Sequence, residues 1–437
     1  MTGFLLSAPQ SGAGKTIITL SLLRALKKRG IAISPYKAGP DYLDPLYHQE
    51  AAQCESVNLD CWAMNSQRIR GAVQKSLNKN HLIVVEGMMG LFDGAAYGEG
   101  SSADLASLLQ LPIILIVDCA RQSHSIAALV RGFATHRKDV TVSAIILNKV
   151  ASARHEMMLR GALEQLPIPI LGAVYREKTM ELASRHLGLI QPFELKDFDQ
   201  FIKQAAEMIE KSIDIDVLLK LVHEFKGAEL NGNENKQFRK LAPLGNHIAI
   251  AKDCAFSFNY RHIIDDWRQA GAEISFFSPV NDEEPLGQAD AIYLGGGYPE
   301  LYVNRLESAT RFKNAMRTAA ARDCLIYGEC GGFMVLGSSI EDEDGIKRQM
   351  LGLLPIETSF KIKKLHLGYR SLRPTSNFVW NCSLRGHEFH YSSITHQGEA
   401  APLFYAKDAF GEDLGPVGMR RGSVAGSYIH IIDTHET

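Results

Sequence analysis

The chain reads as an α/β protein of two domains: an N-terminal P-loop domain on a mostly parallel sheet, then a C-terminal α/β domain built on its own sheet. Three observations predict this. Short, near-continuous apolar runs alternate with amphipathic ones through the first two thirds. Strands apolar throughout are buried on both faces, which points to a parallel sheet covered by helices. A Gly-rich loop, Gly12, Gly14, Lys15 and Thr16 in G-x-G-K-T, falls between the first apolar run and the first amphipathic one. A second alternating pattern begins at His247, after a polar stretch without period.

The first domain spans 1–225. Its strands are GFLLSA from Gly3, AISPYK from Ala32, LIVVEG from Leu82, IILIVD from Ile113 and SAIILN from Ser143. Helical patterns follow Gly14 and Ser125, and the run from Phe198 to about Phe225 reads as one closing helix. KGAELNGNENKQFRKLAPLGN, rich in Asn and Gly, marks a linker over 226–246. The second domain spans 247–437, with strands HIAIA, EISFFS, AIYLG and LIYGE, a helix in NYRHIIDDWRQAG, and a turn and helix in GGFMVLGS.

Composition narrows the function. Charged residues make up 22% of the 437 and the formal net charge is -2, so bulk charge does not suggest a nucleic-acid partner. No apolar run approaches the ~20 residues that span a bilayer. MTGFLLSAPQ has neither a basic leader nor a cleavage site. The seven cysteines form no C-x-x-C pair, which argues against a disulfide framework or a zinc site. A reduced, cytoplasmic enzyme is the simplest reading.

The G-x-G-K-T loop has the strand-to-helix context of a phosphate site. Glycines let backbone amides approach phosphate oxygens, and the helix N-terminus adds partial positive charge. Lys15 would reach the outer phosphates of ATP, and the Thr16 hydroxyl would bind Mg²⁺. Pro9 stands where such loops usually open with Gly. Ligands of open α/β sheets sit at the carboxyl ends of the strands. Glu86 and Asp41 at two such ends are therefore the further candidate Mg²⁺ ligands. Asn148, at a third, could read adenine or equally well cap a helix.

In the second half, Gly328, Cys330 and Gly332 form G-x-C-x-G between a strand and a helix, the shape of a nucleophile elbow. The following helix N-terminus is expected to lower the thiol pKa. Consecutive amides at Gly296, Gly297 and Tyr298 could hold a tetrahedral oxyanion. His430, His387 and His390 compete for the role of base, and residue type alone does not choose among them.

Together, LGGGYPE, YGECGG and a late YIH joined to a P-loop domain resemble class I glutamine amidotransferases. KAGPDYLDP, VVEGMMGLFDG, FSPVNDEEP, GECGGFMVLG and HLGYR narrow this to the cobyrinic acid a,c-diamide synthase family, hydrogenobyrinic acid members included. The resemblance runs essentially the length of the chain. It implies a dethiobiotin-synthetase-like first domain, an ATP-dependent synthetase, and a glutamine amidotransferase second domain. It implies Cys330 as the nucleophile on glutamine, His430 as its base, and Gly296 and Gly297 in the oxyanion hole. Lys15, Thr16 and Glu86 map onto the nucleotide and metal site. Asp44 and Asp93 fall in loops expected to face the corrinoid polycarboxylate.

Lys37, Arg121, His124, Arg154 and Arg185 are offered as partners for the substrate carboxylates. Many class I amidotransferases carry H-x-E, but the residue two after His430 is Ile432. The resemblance implies a family that works without the strict acid, so a Cys–His dyad is expected, with no catalytic role assigned to Glu329. Small-molecule substrates and an internal ammonia path between the domains are expected, and a homodimer is allowed. Cobyric acid synthase and nickel-sirohydrochlorin a,c-diamide synthase are neighbouring readings. A regulatory P-loop ATPase with a ligand-binding second domain is the reading of a different class.

Overall fold

The computed structural model describes residues 2–177, 184–185, 188–225, 238–375 and 378–435. Two compact units form, Met1–Phe238 and Arg239–Thr437. Most of the expected linker, residues 226–237, lies outside the described residues.

The first unit centres on seven parallel strands: β1 (Gly3–Ser7), β2 (Ile33–Ala38), β3 (Val57–Leu59), β4 (Leu82–Glu86), β5 (Ile113–Asp118), β6 (Val142–Val150) and β7 (Ile170–Tyr175). Their order is β3-β2-β4-β1-β5-β6-β7, with β1 central and paired in parallel to β4 and β5. Phe4, Leu6, Val84, Ile114 and Ile146 point into one core with Ile18, Leu22 and Leu26 of the first helix, α1 (Lys15–Lys28). That packing holds the Gly12–Gly14 loop at the carboxyl edge of the sheet.

Two features differ from the sequence expectation. The edge strands β3 and β7 were not anticipated; β3 has only three residues, too few to display a period. The closing helix is two helices, Phe198–Ser212 and Ile215–Glu224. Between them Ile213 bridges Gly172, and Asp214 accepts the Val217 N–H at 2.9 Å as an N-cap. A capping Asp starts a new helix where an apolar period alone reads as continuous.

The second unit carries a six-stranded sheet ordered Glu273–Phe277, His247–Ala251, Ala291–Leu294, Leu325–Glu329, Val424–Ser427 and Met419–Arg421. All neighbours are parallel except the last pair. Beside it stands an antiparallel sheet in which Leu384–His390 lies between His366–Pro374 and Ile429–Thr434. Apart from the late strand pattern around His430, this sheet escaped the sequence reading, because its faces are mixed rather than cleanly alternating: His366–Pro374 combines exposed, half-buried and buried positions. Among the described residues no helix is long and apolar enough to cross a membrane.

Candidate active sites

At the first site the backbone is shaped for close approach. Gly12 (φ 77) and Gly14 (φ 90) adopt left-handed conformations that side chains disfavour. At Gly14 a Cβ would lie 2.3 Å from Nδ2 of Asn148. The missing side chain lets Asn148, on β6, donate to the Ala13 carbonyl at 2.7 Å. Lys149, the next residue, donates to the Gly12 carbonyl at 2.7 Å and pairs with Asp118 of β5 at 2.7 Å. Two strand ends thus tether the loop from below.

Lys15 and Thr16 open α1. The Lys15 ammonium donates to the Met89 carbonyl and lies 3.5 Å from that of Gln10. Burial, then the charge of Lys37, pulls its pKa down to about 8, against the opposing pull of Glu86, Asp44 and Asp93. Thr16 Oγ1 donates to Glu86 Oε1 at 2.7 Å. Glu86, at the end of β4, is fully buried. Its Oε1 also accepts from Lys37 at 3.0 Å, and its Oε2 is 2.7 Å from His48 Nε2. Burial would raise the Glu86 pKa, but Lys37 and then His48 outweigh it and hold the carboxyl well below the ordinary range. Lys37 also pairs with Asp44. Burial opposes its charge, yet Asp44 and Glu86 keep it firmly protonated.

The second site is built on an elbow. Cys330 follows the strand Leu325–Glu329, precedes the short helix Gly331–Leu336, and holds φ 48, ψ −106. That conformation is strained for a residue with a side chain and is locked from both sides. The Cys330 N–H donates to the Ser427 carbonyl at 2.8 Å, and Gly332 N–H to the Gly295 carbonyl at 3.0 Å. A Cβ on Gly332 would stand 2.0 Å from the Leu294 carbonyl oxygen. Cys330 Sγ lies 3.8 Å from the Phe389 carbonyl.

His430 sits on the strand Ile429–Thr434, opposite His387 in register. Its ring packs over Gly296, where a Cβ would come within 2.2 Å of Cε1. The next residue, Gly297, has its nitrogen 3.1 Å from the Cβ position of Gly331. Two consecutive glycines therefore separate His430 from the residue after Cys330. Burial, then His387 and His390, lowers the His430 pKa to about 3. The imidazole is neutral at physiological pH, as a proton acceptor must be. Glu329 Oε2 is 3.9 Å from His430 Nδ1.

Two family profiles match the chain: a CobQ/CobB/MinD/ParA nucleotide binding domain over residues 4–190 and a CobB/CobQ-like glutamine amidotransferase domain over 247–436. A protein of Brucella anthropi named hydrogenobyrinate a,c-diamide synthase is 54% identical over 434 residues, 99% of this chain and 99% of its own length. Proteins of the same name from Rhizobium meliloti and Mesorhizobium japonicum are 46% and 42% identical, covering 100% and 98% of both chains. The chain belongs to the hydrogenobyrinate a,c-diamide synthase family.

Against this family background, several expected site residues take other places. Gly296 cannot offer its amide to an oxyanion as it stands, because it donates to the Phe258 carbonyl at 3.2 Å. The helix after Cys330 does not bring the thiol pKa below its ordinary value, although its first amide, Gly331, pulls in that direction. Burial, then Glu300, Glu388 and Glu329, pushes it above the ordinary thiol range. A six-residue helix has little dipole to set against full burial. Lys37 and Asp44, expected to meet the substrate, are buried and paired. Asp93 Oδ2 instead accepts the Gly90 N–H at 2.9 Å, closing the loop after β4. Arg121, His124 and Arg154 are exposed near the carboxyl ends of β5 and β6, whereas the Arg185 side chain lies outside the described residues. Asn148 is occupied with Ala13 rather than left to read a base.

For Mg²⁺ the donor test falls on Thr16 and Glu86, a hydroxyl and a carboxylate already 2.7 Å apart. Hard oxygen donors of this kind suit the ion. Asp41 is exposed and turns Oδ1 back to the amides of Leu43 and Asp44 at 2.9 and 3.1 Å. Sequence reasoning missed His48 and Lys149. The adjacency of Lys149 to Asn148 was visible, but nothing in the spacing of His48 hinted at Glu86.

Proposed function

We propose that this chain amidates the a and c acetate carboxylates of hydrogenobyrinic acid, using ATP and ammonia taken from glutamine. The observation that carries the reading is end-to-end identity of 54% to a hydrogenobyrinate a,c-diamide synthase, with a P-loop and a thiol elbow in one chain. A carboxylate does not react usefully with ammonia, since its oxygen leaves poorly and its charge repels attack. Transfer of the γ-phosphoryl of ATP to that oxygen gives an acyl phosphate and ADP. Ammonia then adds to the carbonyl, phosphate leaves, and an amide remains.

In this reading the amides of the Gly12–Gly14 loop and the Lys15 ammonium bind the phosphates. Lys15 offsets charge on the transferring group. Thr16 and Glu86 would hold Mg²⁺, which supplies charge neutralisation on the phosphate oxygens. Lys37 and His48 keep Glu86 ionised and oriented, and Lys149 and Asn148 hold the loop in its open-amide shape.

At the elbow, His430 takes the proton of the Cys330 thiol as sulfur attacks the glutamine carboxamide. The same proton goes to the departing nitrogen, which leaves as ammonia. Water then cleaves the thioester to glutamate and restores the thiol. In this reading Gly297 and Gly331, whose backbones approach beside the thiol, would supply the amides for the oxyanion. Ammonia made here should pass to the acyl phosphate without mixing with bulk ammonium, which is mostly protonated and non-nucleophilic at neutral pH.

Mass spectrometry of hydrogenobyrinic acid incubated with ATP, Mg²⁺ and glutamine labelled at the amide nitrogen tests this. Two successive acid-to-amide mass changes carrying the label are expected. Cys330→Ala should lower glutamine-driven turnover at least ~10³-fold while sparing turnover with ammonium salts, and Lys15→Ala should impair both. Label that never reaches the macrocycle overturns the reading.

A further inference from the structure

Glu329 ends the strand Leu325–Glu329 and immediately precedes Cys330. Its carboxylate is buried, and both oxygens are engaged. Oε1 accepts the Ile431 N–H at 3.2 Å, fixing the backbone one residue beyond His430. Oε2 accepts the Tyr293 hydroxyl at 2.8 Å and lies 3.9 Å from His430 Nδ1. The position two beyond His430, where an H-x-E pattern would supply an acid, is the fully buried Ile432. The buried acid facing the histidine therefore comes from the elbow strand.

We propose that Glu329 is a positioning residue for His430: it holds the strand beside the ring through the Ile431 amide, and its carboxylate, 3.9 Å from Nδ1, stabilises the imidazolium formed when His430 takes the Cys330 proton. This rests on the reading of Cys330 and His430 given above. A neutral imidazole needs no counter-charge, so a separation of 3.9 Å is tolerable at rest. Once protonated, an imidazolium buried beside His387 and His390 is strongly disfavoured unless an anion faces it. Glu329 is the carboxylate in that place, and Tyr293 and the Ile431 amide hold it there. Burial pushes its own carboxyl up to about 7, opposed by Tyr293 and Ile431. Tyr327 on the same strand and Glu388 across the thiol also shape the local charge.

Glutamate release and ammonium-driven amidation by full-length Glu329→Gln, Glu329→Asp and Cys330→Ala test this across pH 6–9. Glu329→Gln should lower glutamine-dependent kcat by about 10- to 1000-fold with KM nearly unchanged. It should also remove the acid limb of the glutamine profile near pH 7 while sparing the ammonium-driven rate. Glu329→Asp, charged but shorter, should recover part of kcat and keep that limb. Should Glu329→Gln be insoluble, a Glu329→Asp enzyme that loses glutamine-driven and ammonium-driven turnover alike overturns the proposal. So does Glu329→Gln with wild-type kcat and pH profile, or one that loses both nitrogen sources. Loss in Cys330→Ala without loss in Glu329→Gln would refute the role of Glu329 alone. Retained glutamine use in Cys330→Ala would remove the thiol reading and this inference with it.

Discussion

Lys37 Nζ lies 3.0 Å from Glu86 Oε1, with Asp44 against the same ammonium and all three side chains almost wholly buried. One cation thus serves two interior carboxylates. Glu86 in turn meets Thr16, the residue after the loop lysine, so the ion cluster reaches the nucleotide site directly.

Removing that cation leaves Asp44, whose carboxyl is already pushed up to about 8 by burial and then Asp41, to take a proton, and leaves Glu86 with only His48 and Thr16. Lys37→Met is expected to destabilise the first unit by about 3–5 kcal/mol at neutral pH. Glu86 has its folded pKa depressed, so its stabilising contribution exists above the unfolded value and fades as pH falls through the folded one. The difference between variant and wild type should therefore shrink below about pH 4–5, where carboxyls of the unfolded chain protonate. Denaturant titrations at pH 7 and pH 4 check this; an equal loss at both would contradict it.

Lys15, with its pKa pulled down to about 8, should take up a proton when a triphosphate arrives. The anion favours the charged form and raises the pKa toward its ordinary value. Proton uptake should be greatest near pH 9 and vanish below about pH 7, where the free lysine is already charged. Calorimetry of ATP binding in buffers of different ionisation enthalpy reads this directly. Buffer-independent heats at pH 9 would rule it out.

Cys330 should rest as a neutral thiol, because burial and the carboxylates Glu300, Glu388 and Glu329 all oppose the thiolate. Alkylation by iodoacetamide without substrates should be slow at pH 7 and climb only above the ordinary thiol pKa of about 8.5. A fast rate, flat between pH 6 and 8, would mean a preformed thiolate–imidazolium pair instead.

Gly332→Ala is expected to destabilise the second unit by about 2–3 kcal/mol, since its Cβ would meet the Leu294 carbonyl at 2.0 Å and backbone cannot yield as a side chain can. Thermal unfolding measures it. A midpoint within error of wild type would mean that the elbow is looser than its hydrogen bonds imply.

Much was legible from order along the chain alone. Phosphate-loop glycines must sit between a strand and a helix, and the apolar runs of β1, β2, β4, β5 and β6 are continuous because both faces are covered. G-x-C-x-G announced the elbow for the same reason: Gly328 and Gly332 are small where backbone approaches. Those properties are local, so neighbouring letters encode them. What only the tertiary structure decided is which distant groups share a charge or a donor. His48 meets Glu86, Phe258 takes the Gly296 amide, and Glu329 rather than a residue near His430 faces the imidazole. Long-range pairing depends on how helices and sheets stack, and burial then sets which proton each group keeps. Neither quantity has a period in sequence.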